Sequence, residues 1–190
     1  MRISQTDKEY LDYIRSDIRD LIRRAARFDG DGARVLEIGP GGYSDVKEAF
    51  VKARVFTLDR DENTNPDIVS NITRPFAGYM MVDGSFWNMA FDVVVCTDVL
   101  EHVTRPWDAV RNIRAAMATG GHLILSTPLN FRIHGMGGYD PGQGPAPDYW
   151  RFTESGLRLL LGEFEILEFN ALESDRGLFP IHYSVIAKKK

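Results

Sequence analysis

Apolar residues fall into two kinds of run along this chain. Over residues 6–28 they recur at helical spacing, with Tyr10, Leu11, Ile14, Ile18, Leu21, Ile22 and Ala25 on one stripe and Arg and Asp on the other face. The five arginines between positions 15 and 27 interleave with Asp17 and Asp20, the pattern of a solvated face. Asp29-Gly30-Asp31-Gly32 then supplies a turn. Beyond it come short apolar runs, long enough for buried strands and too short for helices. They cover residues 34–38 (R-V-L-E-I), 55–59 (V-F-T-L-D), 67–72 (D-I-V-S-N-I), 91–97 (F-D-V-V-V-C-T) and 122–127 (H-L-I-L-S-T). Helical spacing returns between them. Val46, Ala49, Phe50 and Ala53 form one stripe, with Ser44 or Asp45 as its cap. A second helix starts at Thr104 and Pro106, carries Val110, Ile113 and Met117, and is stopped by Gly120-Gly121. Residues 75–90 match neither period. Alternating runs at 164–170 and 183–188 close the chain as an antiparallel pair. The pattern predicts an N-terminal helix and a doubly wound α/β fold, its mostly parallel seven-stranded sheet ending in that pair.

Composition narrows the class. At 190 residues, 44% hydrophobic and 26% charged, the chain reads as one domain spanning 1–190, with residues 1–30 as its N-terminal helical part. No apolar run approaches the ~20 residues of a membrane span, and the N-terminus has no apolar signal core. The single cysteine, Cys96, permits no internal disulfide, so a reducing cytoplasm is the expected home. A net charge of −4 leaves no basic footprint for nucleic acid. One Cys and four scattered His supply no zinc set, and no metal is expected.

Candidate chemistry gathers at residues 34–44, R-V-L-E-I-G-P-G-G-Y-S. Strand, glycine turn and helix start bring bare backbone N–H groups against a nucleotide-like ligand. Glu37 lies two residues before Gly39, and Asp59 ends the next strand about 20 residues on, where a carboxylate takes two ribose hydroxyls. A dehydrogenase would show G-x-G-x-x-G, whereas this chain has Gly39, Gly41 and then Ser44. The pattern E-x-G-x-G instead resembles motif I of the Rossmann-like, class I S-adenosylmethionine (SAM)-dependent methyltransferases. The string F-D-V-V-x-C-x-x-V-L-E-H-V, from Phe91 to Val103, closely resembles their fourth strand and following turn. The chain departs from the fuller pattern E-x-G-x-G-x-G, since Tyr43 stands at the third glycine and Gly42 comes one place early.

The resemblance runs from about residue 34 to the C-terminus and implies SAM as cofactor. Glu37, Gly39, Gly41 and Asp59 then line its pocket, Asn71 accepts from the adenine amine, Ile72 packs on the ring, and Cys96 and Thr97 lie beside the methionine end. The DNA amino-methyltransferase loop, the Pro-Cys of cytosine-carbon methyltransferases and the G-x-S-x-G hydrolase elbow are all missing. The chemistry left is transfer of a carbon activated by sulfonium, and a covering loop too short to cradle a duplex or a protein surface favours a small-molecule methyltransferase acting on a hydroxyl or amine of a sugar, lipid headgroup or natural-product intermediate. The alternative is a non-catalytic SAM-binding or interaction protein on the same fold. His102 is the candidate general base, by its intrinsic pKa and its place at the cofactor edge; its other reading is a brace for the helix.

Residues 130–152 read as a loop covering the acceptor side, rich in Gly, Pro and aromatics up to Trp150. His134, Tyr149 and Arg151 are its candidate substrate handles, joined by Tyr139 and Asp148. The string D-Y-W-R-F-T, residues 148–153, has a structural reading too. In it Thr153 caps a helix, Trp150 and Phe152 pack at its base, and Arg151 pairs with a surface carboxylate. The last three lysines read as a solvated tail.

Overall fold

The computed structural model describes residues 5–40, 45–75, 90–133, 147–173 and 179–190. The first apolar stripe forms helix α1, Gln5–Ala25, continued by a 3-10 turn over Ala26–Phe28. Seven strands follow: β1 Arg34–Ile38, β2 Arg54–Asp59, β3 Ile68–Val69, β4 Phe91–Thr97, β5 Met117–Pro128, β6 Phe164–Glu173 and β7 Pro180–Lys189. Between them lie helices α2 Val46–Ala49, α3 Pro106–Ala116 and α4 Glu154–Leu160. Strand order is β3-β2-β1-β4-β5-β7-β6. Strands β1 to β5 run parallel, and β7 enters antiparallel between β5 and β6. The expected seven-stranded sheet with its terminal antiparallel pair is therefore present.

Both faces of the parallel strands are covered, which is why they read as continuous apolar runs. Val35, Val93, Val95, Ile124 and Ile186 face α1 and meet its Leu21, Ile22 and Ala25. Leu36, Ile38, Val94, Leu123 and Leu125 face the other way, onto Ala109 and Ile113 of α3 and Leu157 of α4. Fully burying a side chain of this size contributes about 1.5–3 kcal/mol. The chain moves outward from β1 through β2 to β3, then returns to place β4 on β1's other side. That reversal opens a crevice beyond the carboxyl ends of β1 and β4.

Several elements differ from the sequence pattern. Helix α2 spans only Val46–Ala49, and the Asp29 carboxylate takes the backbone N–H groups of Lys52 and Ala53, ending the helical stripe before Ala53. Asp45 occupies the N-cap position, but its side chain accepts no capping bond; Ser44 lies outside the described residues. The third strand shrinks to Ile68–Val69 because side chains take over at both ends. Asp67 bonds the backbone and hydroxyl of Thr57, and Asn71 closes a turn onto Thr73.

The glycine pair does not stop α3. The helix ends at Ala116, and Met117, expected on the helix, already pairs with Phe91 in β5. Gly120 (φ +74°) and Gly121 instead shape an irregularity in the β4–β5 register, where a Cβ on Gly121 would lie 3.1 Å from the carbonyl oxygens of Phe91 and Asp92. The terminal lysines are not a tail either. Lys188 and Lys189 belong to β7, and the Nζ atoms of Lys189 and Lys190 donate to the carbonyls of Met117 and Gly162.

Candidate functional site

Gly39 follows β1 directly, at the switch point. Its φ is +67°, its N–H donates to Leu58 O at 2.8 Å, and an added Cβ would come within 2.8 Å of Val99 Cγ2. A side chain there is excluded twice, by backbone conformation and by space. Gly39 lines two neighbouring cavities. One, of about 480 Å³, includes Asp59, Asn71, Ile72, Asp98, His102 and Tyr149 in its wall. The other, of about 600 Å³, is bounded by Glu37, Asp45 and Thr97 below and by Arg15 and Arg19 of α1 above.

The structure brings most of the expected cofactor residues together. Glu37 is buried on the sheet face under α1. Asp59 stands at the end of β2, its Oδ1 accepting the Asp61 N–H at 2.9 Å, which fixes the carboxylate in the cavity wall. Ile72 is buried beneath the same cavity, its carbonyl tied to Asn112 Nδ2 at 2.9 Å. Gly41 and His134 lie outside the described residues.

Three expectations need correction. Cys96 contributes its side chain to the α3–α4 core rather than to either cavity, and burial pushes its thiol pKa up, so only Thr97 of that pair reaches the site. Asn71 does reach the cleft, but its Oδ1 already accepts the Thr73 N–H and hydroxyl, both at 2.9 Å. What it offers a ligand is its amide donor, not a carbonyl. Arg151 lines neither cavity. Its Nε donates to Phe131 O, its Nη1 to Asp148 and Trp150 O, and its Nη2 to Arg132 O and Asp148. A guanidinium has five N–H donors, and all five are engaged inside the protein. Its carboxylate partner is not a surface group, because the Asp148 side chain is fully buried. Arg151 staples the two ends of the 130–150 segment.

The rest of the D-Y-W-R-F-T string follows its structural reading. Thr153 Oγ1 accepts from Gly156 N at the start of α4, Trp150 stacks near Phe152, and Trp150 Nε1 donates to Val103 O. Tyr149 alone turns to the cleft, 44% exposed, while its backbone N–H donates to Glu101 O at 2.7 Å. The arginines of α1 are not uniformly solvated, since Arg24 and Arg27 grip Glu168 of β6 and Arg15 and Arg19 line the second cavity.

His102 sits in a 3-10 turn, Leu100–His102, after β4. Its Nδ1 lies 3.1 Å from Pro147 O. A carbonyl can only accept, so Nδ1 carries the proton and Nε2 presents its lone pair in the neutral ring. Nε2 is 3.7 Å from Glu101 Oε1. Glu101 is fully buried, and among the described residues neither of its carboxyl oxygens has a hydrogen-bond partner. Burial, reinforced by Asp98 and Asp148, raises its pKa well above the usual carboxylate range. Glu101→Gln should therefore raise the melting temperature at neutral pH. In the unfolded chain Glu101 ionises in the ordinary range, while the folded protein keeps it protonated. Wild-type stability falls as pH rises past that range, by about 1.4 kcal/mol for each pH step until the folded protein ionises too, and glutamine avoids the loss. Melting curves at pH 4 and pH 7.5 test this: a gain seen only at the higher pH supports the neutral buried acid, and none at either pH contradicts it.

One feature of the site has no counterpart in the sequence pattern. His182 of β7 is fully buried between two carboxylates, Nδ1 at 2.8 Å from Asp17 of α1 and Nε2 at 2.9 Å from Asp98. Burial alone would depress its pKa, but the charge of Asp98 and the hydrogen bonds to Asp17 and Asp98 lift it to about 9. Asp98 itself has φ +51°, its Oδ1 also accepts the Ser126 hydroxyl at 2.7 Å, and its N–H donates to Ser126 O.

Comparison with known proteins agrees with this geometry. Residues 10–165 match the family model described as a methyltransferase domain. A ubiquinone biosynthesis O-methyltransferase of Vibrio vulnificus (strain YJ016) is 30% identical over 110 residues, covering 54% of this chain and 46% of that protein. The chain thus spans about half the length of the curated relatives it matches. The N-methyltransferase NodS of Bradyrhizobium japonicum WM9 superposes with a TM-score of 0.64 at 14% identity, covering 93% of this chain and 96% of that one. A 1,6-didemethyltoxoflavin-N1-methyltransferase of Burkholderia thailandensis, solved with S-adenosylhomocysteine, superposes with a TM-score of 0.59 at 16% identity, covering 100% and 92%. Among the described residues no group of three or more His, Cys, Asp or Glu could hold a metal ion, and no helix is long and apolar enough to cross a membrane.

Proposed function

We propose, from the premise that this chain belongs to the methyltransferase-domain family of SAM-dependent enzymes, that it methylates a hydroxyl or amine of a small metabolite. The observation that carries the reading is the pair of cavities meeting at Gly39, one ending at a ribose-type carboxylate and the other at paired arginines. The residues present fit SAM end to end. Asp59 would take the ribose hydroxyls, Ile72 and the Asn71 amide would border the adenine, and Arg15 and Arg19 would meet the methionyl carboxylate. Glu37 and Thr97 would lie near its amine. SAM supplies the reactive methyl on its sulfonium.

The acceptor side is formed by His102 and Tyr149, which share the wall of the first cavity. A hydroxyl or amine acceptor must shed a proton, and His102 Nε2 offers the lone pair for it, its tautomer fixed by Pro147. The cavity, about 480 Å³ with Ile38, Leu58, Ile72, Val99 and Val103 set among polar residues, suits a small polar ligand. The 1,6-didemethyltoxoflavin bound to the Burkholderia thailandensis enzyme is a small molecule in keeping with that size.

Asp59→Ala tests the cofactor assignment. Hydrogen bonds to a charged acceptor are worth roughly 1.5–3 kcal/mol each, so losing one or two should weaken SAM binding at least tenfold, or about 1.4 kcal/mol. Calorimetric titration of the folded variant would show this, and unchanged affinity would remove Asp59 from the site. His102→Ala should leave SAM affinity near wild type while impairing turnover of any acceptor found by screening metabolites with SAM.

A further inference from the structure

We propose that Asp98 is the carboxylate that faces the sulfonium of SAM, and that His182 is the positioning residue that holds it there while docking helix α1 through Asp17. The inference rests on the SAM reading of the two cavities and goes beyond it, because it assigns recognition of the cofactor's charge.

Three observations carry it. The first is place. Thr97 lines the methionine-side cavity and Asp98, its neighbour, lines the adenosine-side cavity, so the chain crosses the junction between them at this peptide. A SAM molecule lying through both cavities carries its sulfur at that junction, since the sulfur joins its adenosyl and methionyl halves. The second is restraint. Asp98 adopts a left-handed backbone that non-glycine residues rarely take, and it is fixed there from three directions. Its N–H meets Ser126 O, its Oδ1 receives the Ser126 hydroxyl at 2.7 Å, and the same oxygen meets His182 Nε2 at 2.9 Å. Strain of this kind persists where surrounding structure imposes it, and it clusters at ligand sites.

The third observation is charge. His182 is wholly buried and bonded at both nitrogens to carboxylates, which is the arrangement of an imidazolium. Its raised pKa agrees with that state at neutral pH. Of the two carboxylates on this imidazolium, Asp98 is the one that lines the cleft, so its charge is what a ligand there would meet. The complement is a cation. Sulfonium is lost when the methyl leaves, so the same carboxylate would hold SAM more tightly than the neutral thioether product, S-adenosylhomocysteine, and favour product release.

Calorimetric titration with SAM and with S-adenosylhomocysteine decides the matter without an acceptor. Asp98→Asn keeps a side-chain oxygen for Ser126 and His182 while removing the negative charge. The wild type should prefer SAM over the thioether by about tenfold more than this variant does, as a partly screened charge pair requires. Positioning is tested in an Asp17→Asn background, which avoids stranding a second buried carboxylate. There His182→Gln retains a donor to Asp98 and should keep most of the preference, whereas His182→Leu should lose it. A purely structural His182 would shift both affinities in parallel and leave their ratio unchanged. Should the leucine variant not fold, loss of the preference in Asp98→Asn with its retention in Asp17→Asn/His182→Gln still supports the assignment. A ratio in Asp98→Asn within twofold of wild type overturns it, as does ¹⁵N NMR showing a neutral His182 ring at pH 7. If the wild type binds neither ligand, the SAM reading fails along with it; if it binds both and the ratio never moves, only this inference fails.

Discussion

Arg151→Ala should lose about 3–5 kcal/mol of stability, the usual cost of leaving a buried charge without its partner, and melt about 6–20 °C lower. The size follows from what the guanidinium holds. It forms a two-pronged ion pair with Asp148, whose side chain is fully buried, and it donates to the backbone at Phe131, Arg132 and Trp150. Removing it takes the two-pronged partner from a buried carboxylate and removes the ties to Phe131, Arg132 and Trp150 together. Lysine should not rescue it, since a single ammonium cannot reproduce the planar fork. Urea titration and melting curves measure the loss, and SAM titration below the melting point should give an affinity close to wild type. A variant that keeps its melting temperature but loses turnover would return Arg151 to the role of acceptor handle that its sequence context suggests.

Arg151 shows where reading the sequence stops. An arginine in an aromatic, glycine-rich loop beside a ligand edge has the composition of a substrate contact. Its actual partner, Asp148, is three residues away, yet nothing in the string D-Y-W-R marks that aspartate as buried. Strands β1 and β4 were legible because they are covered on both faces, so burial is written directly into their apolar runs. The end of α3 was not. A glycine pair after an apolar stripe is a common helix stop, but here strand pairing captures the chain four residues earlier and uses the glycines to fit against β4. Tertiary pairing overrode a local signal.

The crevice that the cavities occupy was legible for a related reason. Glu37, Gly39, Asp59 and Thr97 each stand at the carboxyl end of a readable strand or one step past it, and topology carries those ends to one crevice. Asp98 ends such a strand too, but its importance comes from His182, 84 residues away, and from Asp17, 165 residues from that histidine. Periodicity assigns a face and not a partner. The available clue was polar: register puts Ser126 opposite Ser184 and Pro128 opposite His182, so hydroxyls and an imidazole take inward positions where Ile124 and Ile186 sit one step earlier in the sheet. A polar row on a buried face calls for an electrostatic explanation.

That row predicts how stability depends on pH. His182 titrates near 9 in the folded protein against an ordinary 6.5, so the folded state binds its proton more tightly than the unfolded chain does. The resulting stabilisation is fully present below pH 6.5, declines as the unfolded chain gives up its proton, and is lost as pH rises through 9. A difference of this size corresponds to a contribution on the order of 3 kcal/mol. The groups that set it are Asp17 on α1 and Asp98 after β4, with the Ser126 hydroxyl of β5 on the same carboxylate oxygen. Other groups ionise in the same window, Cys96 among them as its buried thiol resists deprotonation, so the wild-type slope alone does not isolate His182. The difference from Asp17→Asn/His182→Gln does, because that variant retains the thiol and the fold's other ionisable groups. Urea unfolding of both proteins at pH 6 and pH 9.5 should show the wild type losing about 3 kcal/mol more than the variant across the interval. Parallel losses would mean that His182 is neutral in the folded protein and that α1 is held to the sheet by its apolar stripe without help from the Asp17–His182 pair.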